Sequence, residues 1–192
     1  MVLITSAGCR TAETRTVGTI IKDGYVLTVA HGVAGQASNQ VTTVAGESFQ
    51  ATVVAIDTEQ DIALLKLDPT AEAPEFVQLN FAEAKQGEKV FFVAFDDQQQ
   101  VIREARVTRR LKINTEDIYL QKKISRPGLE VELQVEIGNS GGPLINKSGQ
   151  LVGIVWSTSR IVENRSWATR VEAVDQLFSP ELAEIKVVAC SR

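Results

Sequence analysis

Short runs of β-branched and other apolar residues recur along nearly the whole chain, each closed by a turn-forming cluster: TVGTII, YVLTVA, QVTTVA, FQATVVAI, IALLKL, KVFFVAF, VIREARVT, LEVELQVE and QLVGIVWS. So many short strands at this spacing predict an all-β sandwich or a pair of barrels. In LEVELQVE the parity is strict. Leu129, Val131, Leu133 and Val135 take one face, and Glu130, Glu132, Gln134 and Glu136 the other, as in a half-buried strand. Hairpin turns are expected at KDG (Lys22 to Gly24), DDQQQ (Asp96 to Gln100) and NKSG (Asn146 to Gly149), whose residues tolerate tight or left-handed backbone. The pattern lapses at DPTAEAPEFVQLNFAEAKQG, which carries two prolines and reads as a connection between two β-rich halves. A helical period appears only in RVEAVDQLF, where Val171, Val174, Leu177 and Phe178 share a face, so a short C-terminal helix is expected.

The 192 residues, 44% of them apolar, suffice for one domain with a sizeable core or two small halves sharing a cleft. A formal net charge of −4 argues against a nucleic-acid partner, which requires a basic surface. The basic cluster in RVTRRLK (Arg106, Arg109, Arg110, Lys112) reads as a solvated strand face or loop. No apolar stretch approaches the length of a membrane span, and the N-terminus lacks the basic start and apolar core of a secretory signal. Any leader or anchor is expected upstream of Met1. Cys9 and Cys190 stand near opposite ends, which a globular domain often brings together. Their position favours a disulfide and an oxidising compartment; two unpaired thiols are the alternative. These cysteines and the single histidine give no zinc-ligand spacing, and neither metal nor cofactor is expected.

The stretch EIGNSGGPLIN packs three glycines around Ser140. GNSGG fits the nucleophile elbow G-x-S-x-G, but in that fold the histidine follows the serine, and here the only histidine, His31, lies far upstream. A subtilisin order would need Asp23, too close to His31 in a turn. The remaining order is His31, Asp61, Ser140, with His31 ending the strand YVLTVAH and Asp61 heading the apolar run DIALLKL. Each member alone has a plain structural reading: a hydrogen-bonded histidine, a turn aspartate, a hairpin. Together and in order they point to acyl transfer by a serine nucleophile.

VGTIIKDGYVLTVAH, QDIALLKL and GNSGGPLINKSGQLVGIV resemble the three catalytic blocks of the trypsin-like serine peptidase superfamily, in its bacterial HtrA-type branch. A narrower resemblance, to acid-resistance periplasmic proteases of actinobacteria, lies in EARV, DIYL, the serine block and the two terminal cysteines. The resemblance implies a single peptidase domain of two six-stranded antiparallel β-barrels, the first over about 10–80 and the second over about 88–170, with the helix and tail at 171–192. It implies a serine endopeptidase acting on polypeptide in the cell envelope, in proteolysis or stress response, tethered by membrane helices outside this chain. Ser140 would be the nucleophile, His31 the general base and acid, Asp61 the group that fixes the imidazole, and the N–H groups of Gly138 and Ser140 the oxyanion hole. The primary pocket would be lined by Gln134 and Val135, by Val155, Trp156 and Ser157, and by Trp167 and Ala168. No acidic residue falls at its base, so a neutral or apolar substrate side chain is expected. Two departures stand out. Trypsins carry an aspartate before the serine, paired with a freshly cleaved N-terminus; Asn139 is neutral and needs only hydrogen bonds. Trypsins also place a serine beside the catalytic aspartate where this chain has Trp156, which leaves the support of Asp61 open. The competing reading is a protease-fold binding or sensing module without turnover.

Overall fold

The computed structural model describes residues 1–9, 11–21, 24–68, 79–178 and 189–190. The first half forms strands β1 (Val2–Ala7), β2 (Thr14–Ile20), β3 (Tyr25–Thr28), β4 (Ser38–Thr43), β5 (Ser48–Asp57) and β6 (Ile62–Leu67), with a one-turn helix α1 (Ala30–Val33) after β3. The second half forms β7 (Lys89–Asp96), β8 (Gln99–Glu116), β9 (Lys123–Glu132), β10 (Pro143–Asn146), β11 (Leu151–Thr158) and β12 (Arg165–Arg170), followed by a 3₁₀ helix, Val171–Phe178. Each half closes into a six-stranded antiparallel barrel, in the orders β1-β2-β3-β6-β5-β4 and β10-β11-β12-β9-β8-β7. The first barrel begins at Val2 rather than near residue 10, because β1 pairs with both β2 and β4 and is the strand that closes it. The KDG turn falls in part outside the described residues, as does most of the connection between the barrels. The end of that connection docks on β11, where the Ala82 N–H donates to Leu151 O at 3.0 Å and the Leu151 N–H to Asn80 O at 2.9 Å.

Strand parity sorts the apolar residues into three cores. Val26, Ala63 and Leu65 point into the first barrel with Val2, Ile4 and Val41. Phe92, Leu129, Val131, Leu144 and Val152 fill the second. The alternate residues of β3 and β6, Leu27, Ile62 and Leu64, face outward and meet Leu151, Ile154, Val174 and Leu177. That shared face explains why IALLKL is apolar on both faces, a pattern expected only of a strand covered on both sides. Burying each such side chain stabilises by about 1.5–3 kcal/mol. Val171, Val174 and Leu177 of the C-terminal helix are buried as its period predicts, whereas Phe178 is exposed and meets the Tyr25 ring edge-on. The α1 helix and the 57–61 turn of the first barrel, and the 136–142 loop of the second, therefore meet along the line where the barrels join.

Candidate active site

His31 sits in α1, whose Ala30, Gly32 and Val33 are buried, so the imidazole is the one side chain of the turn left toward the cleft; it is 33% exposed. Its Nδ1 lies 2.8 Å from Asp61 Oδ2, and its backbone N–H donates to Asp61 Oδ1 at 2.9 Å. Because a carboxylate only accepts, Nδ1 carries the proton of the neutral ring, and Nε2 is the basic nitrogen. The Asp61 side chain is 4% exposed. Its backbone is left-handed, with φ 55°, a conformation aspartate tolerates better than most residues but at a cost of about 1–2 kcal/mol. A strained, buried carboxylate bonded through both oxygens to one residue is aimed, not incidental.

Ser140 lies in a loop held on both sides by backbone bonds. The Asn139 N–H donates to Glu136 O at 3.1 Å and the Gly142 N–H to Asn139 O at 3.2 Å. The Gly141 N–H donates to Val155 O at 2.7 Å, and the Val17 N–H, from the other barrel, to Ser140 O at 2.8 Å. Gly138, with φ 95°, takes the third position of the Glu136–Asn139 turn, which needs a positive φ. Gly141 is demanded by contact: a Cβ there would stand 2.0 Å from Val17 O. Among the described residues, the N–H groups of Gly138 and Ser140 make no internal hydrogen bond. The Ser140 hydroxyl donates to Trp156 O over 3.5 Å, a long contact. Asn139 is buried, its Oδ1 accepting from the Phe95 N–H at 2.8 Å and its Nδ2 donating to Phe95 O at 3.0 Å.

His31, Gly138 and Ser140 line one open cleft together with Gln134, Val135, Trp156 and Ser157. Val155 and Ala168 stand elsewhere: both are fully buried in the core of the second barrel, because their strand positions point inward. Trp167 is not on the cleft wall but stacks behind it on Trp156, ring centroids 6.3 Å apart. A bulge between Val155 and Ser157 turns Trp156 out of the normal parity. Ile137 and Ile161, exposed at the rim, were not foreseen, since loop residues carry no periodicity to read. Nor was Arg126, which lies over the Trp156 ring, 4.1 Å from its centroid, with Nη1 3.9 Å from Asp61 Oδ2. Cys9 and Cys190 are joined in a disulfide, with Cα atoms 5.6 Å apart. Among the described residues no group of three or more His, Cys, Asp or Glu side chains could hold a metal ion, and no helix is long and apolar enough to cross a membrane.

Two antiparallel barrels with a histidine–aspartate pair and a glycine-flanked serine on their common cleft define a class, and sequence comparison agrees with it. The profile of the trypsin-like peptidase domain matches residues 16–154, and the chain belongs to that family. Over 147 residues it is 35% identical to Serine protease Rv3671c of Mycobacterium tuberculosis, a match covering 74% of this chain and 36% of that protein. It is 26% identical over 160 residues to Serine protease HTR4 of Bos taurus, covering 83% of this chain and 32% of that protein. These relatives belong to the expected HtrA-type branch, and the chain spans about a third of their length. The crystal structure of the Rv3671c protease from M. tuberculosis in its active form superposes with a TM-score of 0.87 at 27% identity, covering 100% of this chain and 85% of that one.

Proposed function

We propose that this domain is a serine endopeptidase that hydrolyses polypeptides through His31, Asp61 and Ser140 and an acyl-enzyme intermediate. The observation that carries the reading is the His31 Nδ1–Asp61 Oδ2 pair at 2.8 Å on the same cleft as Ser140, in a chain of the trypsin-like family. Likeness to a structure described as an active form supports it. In the reaction, Ser140 Oγ attacks the scissile carbonyl while its proton passes to His31 Nε2, and the imidazolium so formed is stabilised by Asp61. The tetrahedral oxyanion is met by the N–H groups of Gly138 and Ser140, each such donor contributing about 3 to 4 kcal/mol. The proton then moves to the leaving amine, the C–N bond breaks, and Ser140 is left acylated. Water, deprotonated by the same nitrogen, releases the carboxylic acid and restores the hydroxyl.

Apolar rim residues, Ile137, Ile161 and Val162, support a preference for neutral or apolar substrate side chains. The cleft carboxylates, Glu13, Glu136 and Glu163, are all exposed and screened, a weak counter-charge for Arg or Lys. The disulfide supports an oxidising, extracytoplasmic location in the cell envelope. The test is hydrolysis of an unstructured protein and of peptides varied at the residue before the cut. Ser140→Ala and His31→Ala should each lose on the order of a million-fold in kcat, and a folded wild-type chain that cleaves nothing but binds peptides would instead support the non-catalytic binding module.

A further inference from the structure

Arg126 is 3% exposed, on β9 opposite Ile113, at a point where the outward face of the second barrel is covered by the 57–61 turn of the first. A guanidinium this deep needs compensation, because burial penalises the charge by several kcal/mol. Its hydrogen bonding supplies little. Nη2 reaches Glu116 O only at 3.4 Å, and Nε and Nη1 have no hydrogen-bond partner among the described residues. What remains is the face of Trp156 at 4.1 Å and the carboxylate of Asp61, with Nη1 3.9 Å from Oδ2. That oxygen is the one paired with His31 Nδ1 at 2.8 Å. One carboxylate oxygen thus stands between an imidazole from the first barrel and a cation from the second.

Resting on the triad proposed above, we infer that Arg126 is a positioning residue that acts on His31 through Asp61: it orients the carboxylate from the far side and keeps the imidazole available as a base in more acidic solution. The sign follows from the charges. A lone Asp61 carboxylate would favour the imidazolium; a fixed cation behind it weakens that pull and disfavours a second positive charge nearby. Trp156, standing where trypsins have a serine, holds the guanidinium plane by its ring and so takes over the support of Asp61 by an indirect route. The charges around the group are few. Arg126 is faced by Asp61 from the turn between β5 and β6 and by Asp57 at the end of β5; burial pushes its pKa down and these two carboxylates push it up. Asp61 is faced by His31 from α1 and Arg126 from β9. The charged groups lining the cleft beside His31 (Glu13, Arg15, Glu136, Arg160, Glu163) are exposed, and the same in every variant below.

His31 is the only histidine, so its imidazole proton resonances report one titration without assignment. Arg126→Gln should raise the His31 midpoint by about one pH unit. The acid limb of kcat/KM should move with it, so that one unit below the wild-type midpoint the variant is about tenfold slower than wild type. Arg126→Lys, which keeps the charge, should titrate within about 0.3 unit of wild type. A folded Arg126→Gln chain with an unmoved histidine midpoint overturns the inference, as does an equal shift in both variants. Should Arg126→Gln fail to fold, the double variant Asp61→Asn, Arg126→Gln decides. Removing both charges should restore a cooperative melt if the two are coupled, and a double variant as unfolded as the single overturns the coupling. Failure of the triad reading would look different, since wild-type protein would then not cleave peptides at any pH, while the histidine titration could still be read.

Discussion

Asn139 holds the serine loop to β7 by two neutral hydrogen bonds, giving and taking one each with the backbone of Phe95. A carboxylate at that position could accept from the Phe95 N–H but would set its second oxygen against Phe95 O, buried and without a cation. Asn139→Asp should therefore destabilise the domain at pH 7 by about 3 kcal/mol. The deficit should narrow toward pH 4, where a protonated Asp can donate as the amide does. Urea unfolding at both pH values checks this, and equal stabilities of variant and wild type at pH 7 would contradict it. At this scale the sequence was informative where chemistry leaves an order: one histidine, an aspartate heading an apolar run, and a serine between glycines. It was silent on Arg126, because parity assigns that residue to the outward face and cannot say that another barrel covers it. The same reason hid the burial of Glu130.

Glu130 belongs to the scale of elements, since it ties together three adjacent strands. Arg109 of β8 donates to it through Nε, at 3.1 Å, and Nη2, Thr108 donates at 2.9 Å, and Arg165 of β12 stands 3.5 Å away. The hydrogen-bonded Arg109 holds the carboxyl below its usual pKa against the opposing effect of burial, with Thr108 and Arg165 helping. A depressed folded pKa gives stability that is present above the unfolded value, about 4.3, and is lost as pH falls through the folded one. Thermal melts between pH 6 and 3 should accordingly fall less steeply for Glu130→Gln than for wild type, by a modest margin because Arg109 is solvent-exposed. Parallel curves would remove Glu130 from the account. The RVTRRLK cluster lies on strand β8, where Arg106, Arg109 and Lys112 are exposed, while Arg110 is half-buried on the opposite face from Arg109 and paired to Glu83 and Glu172. Nine strand-forming runs are legible from β-branched content, and β1, β10 and β12 lie outside them. β12 (RSWATR) is polar and short, its Ser166 and Thr169 buried through hydrogen bonds to Leu133 O and Gln60 O, so its strand state comes from its neighbours rather than from its own composition.

For the whole molecule, the covalent tie is the Cys9–Cys190 bond, which spans 181 residues of sequence. It holds Ala189 and Cys190 against Gly35, just after α1, where an added Cβ would stand 2.7 Å from their backbone. Reduction, or Cys9→Ser with Cys190→Ser, should lower stability by about 2–5 kcal/mol, chiefly by freeing the unfolded chain. Calorimetry with and without reductant reads the effect, and an unchanged melt would mean that the tie constrains nothing the fold does not already hold. Two β-rich halves were legible because two strand-rich stretches flank a proline-bearing connection, and the resemblance implied that each closes into a barrel; the packing between them was not legible, because it depends on which outward faces meet. The central claim, that the cleft between the barrels carries a serine nucleophile activated by His31, is tested most directly with a fluorophosphonate. Folded wild-type protein should gain one covalent adduct, mapped by mass spectrometry to Ser140, and Ser140→Ala and His31→Ala should gain none at the same exposure. An unlabelled wild type, or an adduct that persists in Ser140→Ala, would contradict the claim.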